Sequence, residues 1–240
     1  MTTGLTTQQD RTRQNGQTPF GILAVAAHEL KAPLSAVQVY LELMKTRAAG
    51  DDIAAYDHIL GRSLIRLETM RQLILDIIEL ARIEAGRRPD FKRVDVAMLA
   101  AKVISDFGDI ARADDIHIEL KTSGHAYINA SIPEIEIILN NLVSNAIKYN
   151  KSSGKVTVSV RTMNGSVIIE VTDTGIGIAA EDMDQIFTEF SRIKNDKTVA
   201  IEGTGLGLAI VRKITQVYNG SITVRSEPGN GSTFTVVLCC

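Results

Sequence analysis

The fold is decided by a stretch that reads FGILAVAAHELKAPLSAVQVYLELMKTRA and occupies residues 20–48. Its apolar residues return at alternating steps of three and four, a spacing that is typical of a helix packing along one seam. These residues are Ile22, Leu23, Ala26, Leu30, Leu34, Val37, Leu41 and Met44. We therefore expect one helix of about thirty residues, long enough to form part of a helical bundle.

The same spacing returns in a second stretch over residues 52–85. Its apolar residues are Ile53, Tyr56, Leu60, Leu64, Leu67, Met70, Ile74, Ile77, Ile78 and Ala81. Between the two stretches, Gly50 lies just past one helix and Asp52 starts the next, as a tight turn requires. A hairpin of two helices cannot bury a wide apolar stripe alone. We therefore predict that two copies of the chain pair into a homodimeric four-helix bundle.

The composition narrows the class of protein. The chain has 240 residues, of which 45% are hydrophobic, and this allows two domains with their own cores. A net charge of −2 with mixed signs gives no indication of a nucleic-acid partner. The two cysteines are adjacent at positions 239 and 240, so we expect no disulfide framework and a reducing compartment.

Membrane and targeting signals are missing from the sequence. No apolar run approaches the roughly 18 residues of a membrane-spanning helix, and the polar N-terminus has no signal-peptide core. We therefore expect a soluble, cytoplasmic chain, and any part of the protein that senses a stimulus at a membrane would lie outside it.

The chain divides into three predicted regions within an α+β architecture. Residues 1–17 are rich in Thr, Gln, Gly and Arg, and we expect a disordered tail or linker. The helical hairpin would occupy residues 18–88, because Gly86-Arg-Arg-Pro89 interrupts the helical pattern. Residues 91–240 mix helical and strand patterns and predict an α/β sandwich of ordinary domain size. Its predicted helices span 95–112, 133–149 and 206–218, and its predicted strands span 116–121, 126–130, 155–162, 167–172, 221–226 and 233–238.

Three polar residues share a face of the predicted helix over 133–149. Asn141 and Asn145 are four residues apart, and Lys148 is three further on. Two amides and an ammonium can hold a metal–phosphate group, since Mg²⁺ prefers oxygen ligands and usually shares them with substrate phosphates. Asparagine residues that simply face solvent are the common alternative.

Two glycine-rich stretches follow in the same predicted domain. Asp173-Thr-Gly-Ile-Gly-Ile178 comes directly after a strand, where a carboxylate can accept a hydrogen bond from an amino group such as that of adenine. A plain Asp-Thr-Gly turn is the alternative. Gly203-Thr-Gly-Leu-Gly-Leu208 leads into a helix, and its exposed N–H groups and the helix dipole can form a phosphate seat.

The first long helix contains His28, followed by Glu29 and, five residues on, by Pro33. A proline inside a helix removes one backbone hydrogen bond and bends the helix. A neutral imidazole is a nucleophile towards phosphorus, and the adjacent carboxylate can act as its general base. A histidine with a purely structural role is the alternative.

These motifs, in this order, resemble those of the sensor histidine kinases of two-component signalling. The resemblance covers the chain from about Phe20 to Leu238. The segments that match the H-box, N-box, G1, F-box and G2 motifs of that family are 28–33, 141–149, 173–177, 187–192 and 203–208. It implies a dimerisation bundle that carries a phospho-acceptor histidine, followed by an ATP-binding sandwich of the type shared with Hsp90, MutL and gyrase.

The resemblance also implies roles for single residues. His28 would be the phospho-acceptor and Glu29 its base, while Asn145 would bind Mg²⁺ with Asn141 nearby. Lys148 and Tyr149 would line the phosphate and ribose side of the site. Asp173 would hold the adenine amino group, with Gly175 and Gly177 shaping the floor.

The second glycine-rich stretch and the residues before it would close the site. Residues 191–203 would form a lid over ATP, and Arg192 would reach towards the γ-phosphate. The residues expected at the phosphates are Gly203, Thr204, Gly205, Leu206 and Gly207. A hinge over residues 87–91 would bring the γ-phosphate to the histidine.

The implied activity is ATP-dependent autophosphorylation of His28 and phosphotransfer to an aspartate on the receiver domain of a separate response regulator. Many relatives carry Thr or Asn four residues after the histidine, where this chain has Ala32. We therefore expect weak dephosphorylation of the partner. Two alternatives stay open: an ATP-binding scaffold that no longer phosphorylates, and a different ATPase of the same sandwich fold.

Overall fold

The computed structural model describes residues 19–48, 50, 52–86, 90–193, 198 and 201–239, with only the backbone described for 19–23, 53 and 55. The predicted tail over residues 1–17 lies outside this range, as do residues 87–89 of the predicted hinge and residues 194–197, 199 and 200 of the predicted lid. The chain separates into two compact units, residues 1–74 and 75–240. The predicted domain limits, 18–88 and 91–240, remain predictions.

The first unit contains a helical hairpin, as the sequence predicts. Helix α1 spans Pro19–Lys45, a short 3-10 helix spans Ile53–Tyr56, and helix α2 spans Asp57–Glu84 and continues into the second unit. The turn is fixed at both ends. The Asp52 side chain accepts a hydrogen bond from the Ala54 N–H at 3.0 Å, and the Tyr56 hydroxyl donates to the Gly50 carbonyl at 2.8 Å.

The hairpin leaves much of its apolar surface uncovered. Ala26 and Val37 are buried within the single chain, but several larger residues are not, and Leu64 is 66% exposed. The other exposed apolar residues of the first unit are Leu34, Val39, Leu41, Leu43, Leu60, Ile65, Leu67 and Ile74. Exposed apolar surface on this scale is typical of an interaction site. Among the described residues, none of the helices combines the length and the apolar character of a membrane span.

The second unit is an α/β sandwich, as predicted. Its elements are β1 (Lys92–Asp95), α3 (Val96–Asp106), α4 (Gly108–Ala113), β2 (His117–Thr122), β3 (Tyr127–Ala130), α5 (Ile132–Lys148), β4 (Lys155–Met163), β5 (Ser166–Asp173), α6 (Gly207–Val217), β6 (Ser221–Glu227) and β7 (Gly231–Cys239). The prediction of one helix over 95–112 was wrong, because the chain breaks at Phe107 into two helices. Strand β1 was not predicted, since four residues carry too little alternation.

The main sheet has the strand order β2-β4-β5-β7-β6. Strand β2 is parallel to β4, and all other neighbours are antiparallel. Helices α3, α5 and α6 pack on this sheet, where strand β4 buries Val156, Val158 and Val160 completely. Thr157 and Ser159 alternate with them and are only partly buried, so the opposite face is the polar one. This arrangement places the ends of β5 and α5 beside each other.

Candidate functional site

Asp173 ends strand β5 and is 7% exposed. Its Oδ1 accepts hydrogen bonds from the backbone N–H of Gly175 at 2.8 Å and of Ser232 at 3.2 Å. In the part of the chain that the structure describes, its Oδ2 has no hydrogen-bond partner. Burial raises the pKa of this carboxyl group, and the two backbone donors oppose the rise. An oriented acceptor of this kind suits an amino group of a ligand, as expected for adenine.

The first glycine after Asp173, Gly175, leaves room for the backbone at the end of α5. A Cβ atom at Gly175 would lie 2.1 Å from the backbone oxygen of Tyr149. That oxygen also accepts a hydrogen bond from the Ile176 N–H at 3.0 Å. At Gly177, φ is +67° and a Cβ atom would lie 2.0 Å from the Glu227 carbonyl oxygen. The loop is therefore held between the end of α5 and the turn joining β6 to β7.

A polar network ties this loop to strand β4. The Thr174 hydroxyl donates to the Asn150 side-chain oxygen at 3.1 Å and accepts from the Lys155 N–H at 2.9 Å. The Asn150 amide group donates to the carbonyl oxygens of Ala146 and Lys155. Thr174 and Asn150 thus fix the distance between the end of α5 and Asp173, although neither residue was predicted to have a role.

The polar face of α5 forms another wall of the candidate site. The Asn141 amide group donates to the Ile137 carbonyl at 2.9 Å, which leaves its oxygen pointing elsewhere. A Cβ atom at Gly207 would lie 2.1 Å from that oxygen, so the start of α6 packs directly on Asn141. Asn145 is partly buried, and its amide group has no hydrogen-bond partner among the described residues. The Asn145 oxygen can therefore serve an external ligand.

Charged groups collect at the C-terminal end of α5. Lys148 is exposed, yet crowding of its ammonium by protein atoms lowers its pKa, and the negative charge of Asp76 opposes this lowering. Burial raises the pKa of the Tyr149 hydroxyl, and the positive charge of Arg192 opposes that rise. The Arg192 guanidinium donates a hydrogen bond to the Ile201 carbonyl. The predicted lid residue Arg192 is therefore near Tyr149 but engaged within its own segment.

The loop before α6 combines exposed and buried residues. The Thr204 hydroxyl accepts from the Leu206 N–H at 3.2 Å and donates to Oδ2 of Asp76 at 2.6 Å. Leu206 is fully buried, so only its backbone could face a ligand. Gly205 has φ +72° and packs on Phe190, whereas a Cβ atom at Gly203 would meet nothing within 4 Å. Asp76 was not predicted as a site residue, because its position in an ordinary helical repeat gives no signal of this contact.

A second buried pair joins α5 to α6 away from these loops. The Tyr218 hydroxyl donates to the Glu134 carboxylate and accepts from the Ser131 N–H at 2.9 Å, and Phe91 stacks on the Tyr218 ring. Burial raises the pKa of Glu134, and the hydrogen bond from Tyr218 opposes the rise. This pair ties the start of α5 to the residue that ends α6.

His28 lies on α1 in the first unit and is exposed, as is Glu29. Neither side chain has a hydrogen-bond partner among the described residues. Adjacent residues on a helix point in different directions, so Glu29 does not bond to the imidazole in this conformation. Pro33 lies within α1, one turn further on. The histidine is thus available to an external reactant, and the role of Glu29 as its base remains a prediction.

Comparison with known families agrees with this geometry. Residues 21–86 match the family model of the His Kinase A (phospho-acceptor) domain, which contains His28. Residues 130–239 match the model of the histidine kinase-, DNA gyrase B- and HSP90-like ATPase, which contains Asp173. The chain belongs to the sensor histidine kinases. The two matches lie in the order in which the sequence motifs predicted them, with the phospho-acceptor domain first.

The similarity to curated histidine kinases covers most of this chain. It is 35% identical over 219 residues to the sensor-like histidine kinase SenX3 of Mycolicibacterium smegmatis, covering 90% of this chain and 56% of that protein. It is 35% identical over 221 residues to the sensor histidine kinase RppB of a Synechocystis strain, covering 90% and 48%. The chain thus spans about half the length of these curated relatives.

The fold matches that of a solved histidine kinase. The structure of the Acinetobacter baumannii histidine kinase AdeS superimposes with a TM-score of 0.71 at 26% identity, covering 88% of this chain and 97% of that chain. Both the hairpin and the sandwich are therefore those of the family, as predicted from the Hsp90, MutL and gyrase resemblance.

Proposed function

We propose that this chain is an ATP-dependent protein-histidine kinase that phosphorylates its own His28. The proposal rests on the presence of two features in the same chain. An exposed histidine lies in a phospho-acceptor domain, and a buried, oriented carboxylate lies in an ATPase domain. Asp173 would recognise the adenine amino group through Oδ2. Gly175 and Gly177 would shape the floor beneath the base through their close contacts with the protein backbone, and Lys148 and Thr204 would face the phosphates.

The residues present are suited to holding Mg²⁺. Asn145 offers an amide oxygen without a partner in the described part of the chain, and Mg²⁺ accepts such oxygens together with phosphate oxygens. We propose that Asn145 holds Mg²⁺ beside the phosphates, with Asn141 fixing the start of α6. A bound Mg²⁺ would neutralise phosphate charge, which is the main requirement of phosphoryl transfer.

The residues of the chain would then perform one transfer. A ring nitrogen of His28 forms the bond to the γ-phosphorus, the bond from phosphorus to the bridging oxygen breaks, and ADP leaves with that electron pair. The other ring nitrogen gives up its proton, for which Glu29 is the candidate acceptor. The phosphoryl group would next pass from the histidine nitrogen to an aspartate oxygen of a response regulator receiver domain.

The exposed apolar residues of the hairpin support the proposed homodimer. Residues such as Leu64 and Ile65 remain uncovered in one chain, and a second hairpin would bury them in a four-helix bundle. Light scattering at micromolar concentration should report twice the chain mass, and a monomer at that concentration would contradict this part of the proposal.

The decisive experiment is incubation with γ-labelled ATP and Mg²⁺. The His28→Ala variant is compared with wild type and with His58→Ala, a matched control because His58 is also exposed on the hairpin. We expect acid-labile, base-stable label in wild type and in His58→Ala, and none in His28→Ala. Nucleotide binding without label in any protein would favour a non-phosphorylating scaffold. Steady ATP hydrolysis that does not depend on His28 would favour a different ATPase.

A further inference from the structure

The last turns of α2 contact the ATP-binding fold within the second compact unit. Asp76 accepts the hydrogen bond from Thr204, and eight residues further on Glu84 Oε1 lies 2.6 Å from Lys213 Nζ. Between these two contacts, Leu80 is 1% exposed. The end of α2 is therefore docked on the loop before α6 and on α6 itself.

Asp76 is the unusual member of this contact because it is a charged residue that is only 6% exposed. A buried carboxylate needs donors or positive charge to offset its lost hydration. Thr204 supplies a donor at 2.6 Å, and the Lys148 ammonium is close enough for the charge of Asp76 to act on it. Both partners belong to the group of residues proposed to face the ATP phosphates.

A carboxylate oxygen and a phosphate oxygen make the same demands on these residues. Each accepts a hydrogen bond from a hydroxyl group and favours a nearby ammonium. Each is also stabilised near the start of a helix, and Thr204 is bonded there to the Leu206 N–H. A phosphate bound at Thr204 would place a second anion beside the Asp76 carboxylate. Because close anions repel each other, the carboxylate and a nucleotide phosphate compete for this position.

We propose that Asp76 is an autoinhibitory residue that occupies the phosphate seat at Thr204 and must withdraw before the phosphates of ATP can bind there. The proposal rests on the proposed function, since it assumes that the loop over residues 203–208 receives phosphates. Asp76 lies on α2, the same helix that begins in the phospho-acceptor hairpin. A shift or rotation of α2 would move Asp76 away from Thr204, which gives a signal in the hairpin a direct route to nucleotide affinity.

The test measures nucleotide binding by the full chain rather than its activity. The Asp76→Asn variant keeps the size of the side chain and removes its charge. We expect AMP-PNP and ADP to bind about 10- to 150-fold more tightly to it by calorimetry, the range expected when a charged hydrogen bond no longer competes. Adenosine, which has no phosphate, should bind equally to variant and wild type in ligand-observed NMR.

Glu68→Gln is the matched control, because it also removes one negative charge from α2, at an exposed position that pairs with Arg71 eight residues before Asp76. We expect it to leave the affinities for AMP-PNP and ADP unchanged. Equal or weaker nucleotide binding by Asp76→Asn would overturn the proposal, as would equal tightening by Glu68→Gln or tightening for adenosine. Asp76→Ser carries the same expectations if Asp76→Asn does not fold. Wild type that binds no nucleotide and leaves His28 unlabelled would instead refute the proposed function.

Discussion

Gly175 and Gly203, one in each candidate nucleotide-binding loop, should differ in how well they tolerate an added methyl group. In Gly175→Ala, the new Cβ atom would lie 2.1 Å from the Tyr149 carbonyl oxygen, whereas ordinary contact begins at 3.4 Å. The loop must therefore retreat by about 1.3 Å from backbone that cannot rotate away. In Gly203→Ala, the Cβ atom would meet nothing within 4 Å, and no left-handed φ opposes the substitution.

The expected cost follows from what the retreat disrupts. Overpacking of this kind costs about 1–3 kcal/mol, and the displacement would also weaken the hydrogen bond from Ile176 to Tyr149. For a unit the size of residues 75–240, each kcal/mol lowers the melting temperature by about 2–4 °C. We therefore expect Gly175→Ala to melt about 2–12 °C below wild type, and Gly203→Ala to melt within about 2 °C of it.

Calorimetric unfolding and AMP-PNP binding together check this prediction. Gly175→Ala moves the loop that orients Asp173, so its affinity should fall by at least about tenfold, the value of one good hydrogen bond. Gly203→Ala should lose less affinity for AMP-PNP than Gly175→Ala does, because its Cβ atom meets no protein group within 4 Å. The steric reasoning is refuted if the two variants lose stability and affinity equally, or if Gly175→Ala is indistinguishable from wild type.

Two further predictions concern Asp173 and Ala32. Burial raises the Asp173 pKa above its ordinary 3.8, so ionisation costs stability increasingly as pH rises through the raised value. Asp173→Asn should therefore raise the melting temperature of the nucleotide-free protein at pH 7, and raise it less near pH 4. The same variant should bind AMP-PNP about 10- to 100-fold more weakly. A lower melting temperature than wild type at pH 7 would contradict this prediction. Ala32→Thr should increase dephosphorylation of the partner regulator, measured as release of phosphate from its aspartate. Position 32 is exposed one turn after His28, where a Thr hydroxyl can help to position the water that removes the phosphate. Unchanged release, or efficient release by wild type, would contradict that prediction.

The sequence predicted the elements that depend on local spacing. The three-and-four repeat located α1 and α2, and the alternation of Val156, Val158 and Val160 located β4, because one-sided burial imposes a period on the chain. It also predicted which side chains carry the candidate chemistry, since motifs such as Asp173-Thr-Gly join residue type to spacing. The break at Phe107 was not predicted, because the helical spacing of apolar residues continues across it. Strand β1 was not predicted, because four residues are too few to show alternation.

Tertiary structure alone decided the contacts between residues that are remote along the chain. Asp76 and Thr204 are far apart in sequence, and nothing in a helical repeat indicates that this carboxylate meets the predicted phosphate seat. The same holds for Gly175 against Tyr149 and for Gly207 against Asn141, where the reason for glycine is a neighbouring group brought close by packing. Local sequence specifies which backbone and side-chain chemistry is available. Which groups compete, clash or remain open to a ligand depends on distances that only the folded chain sets.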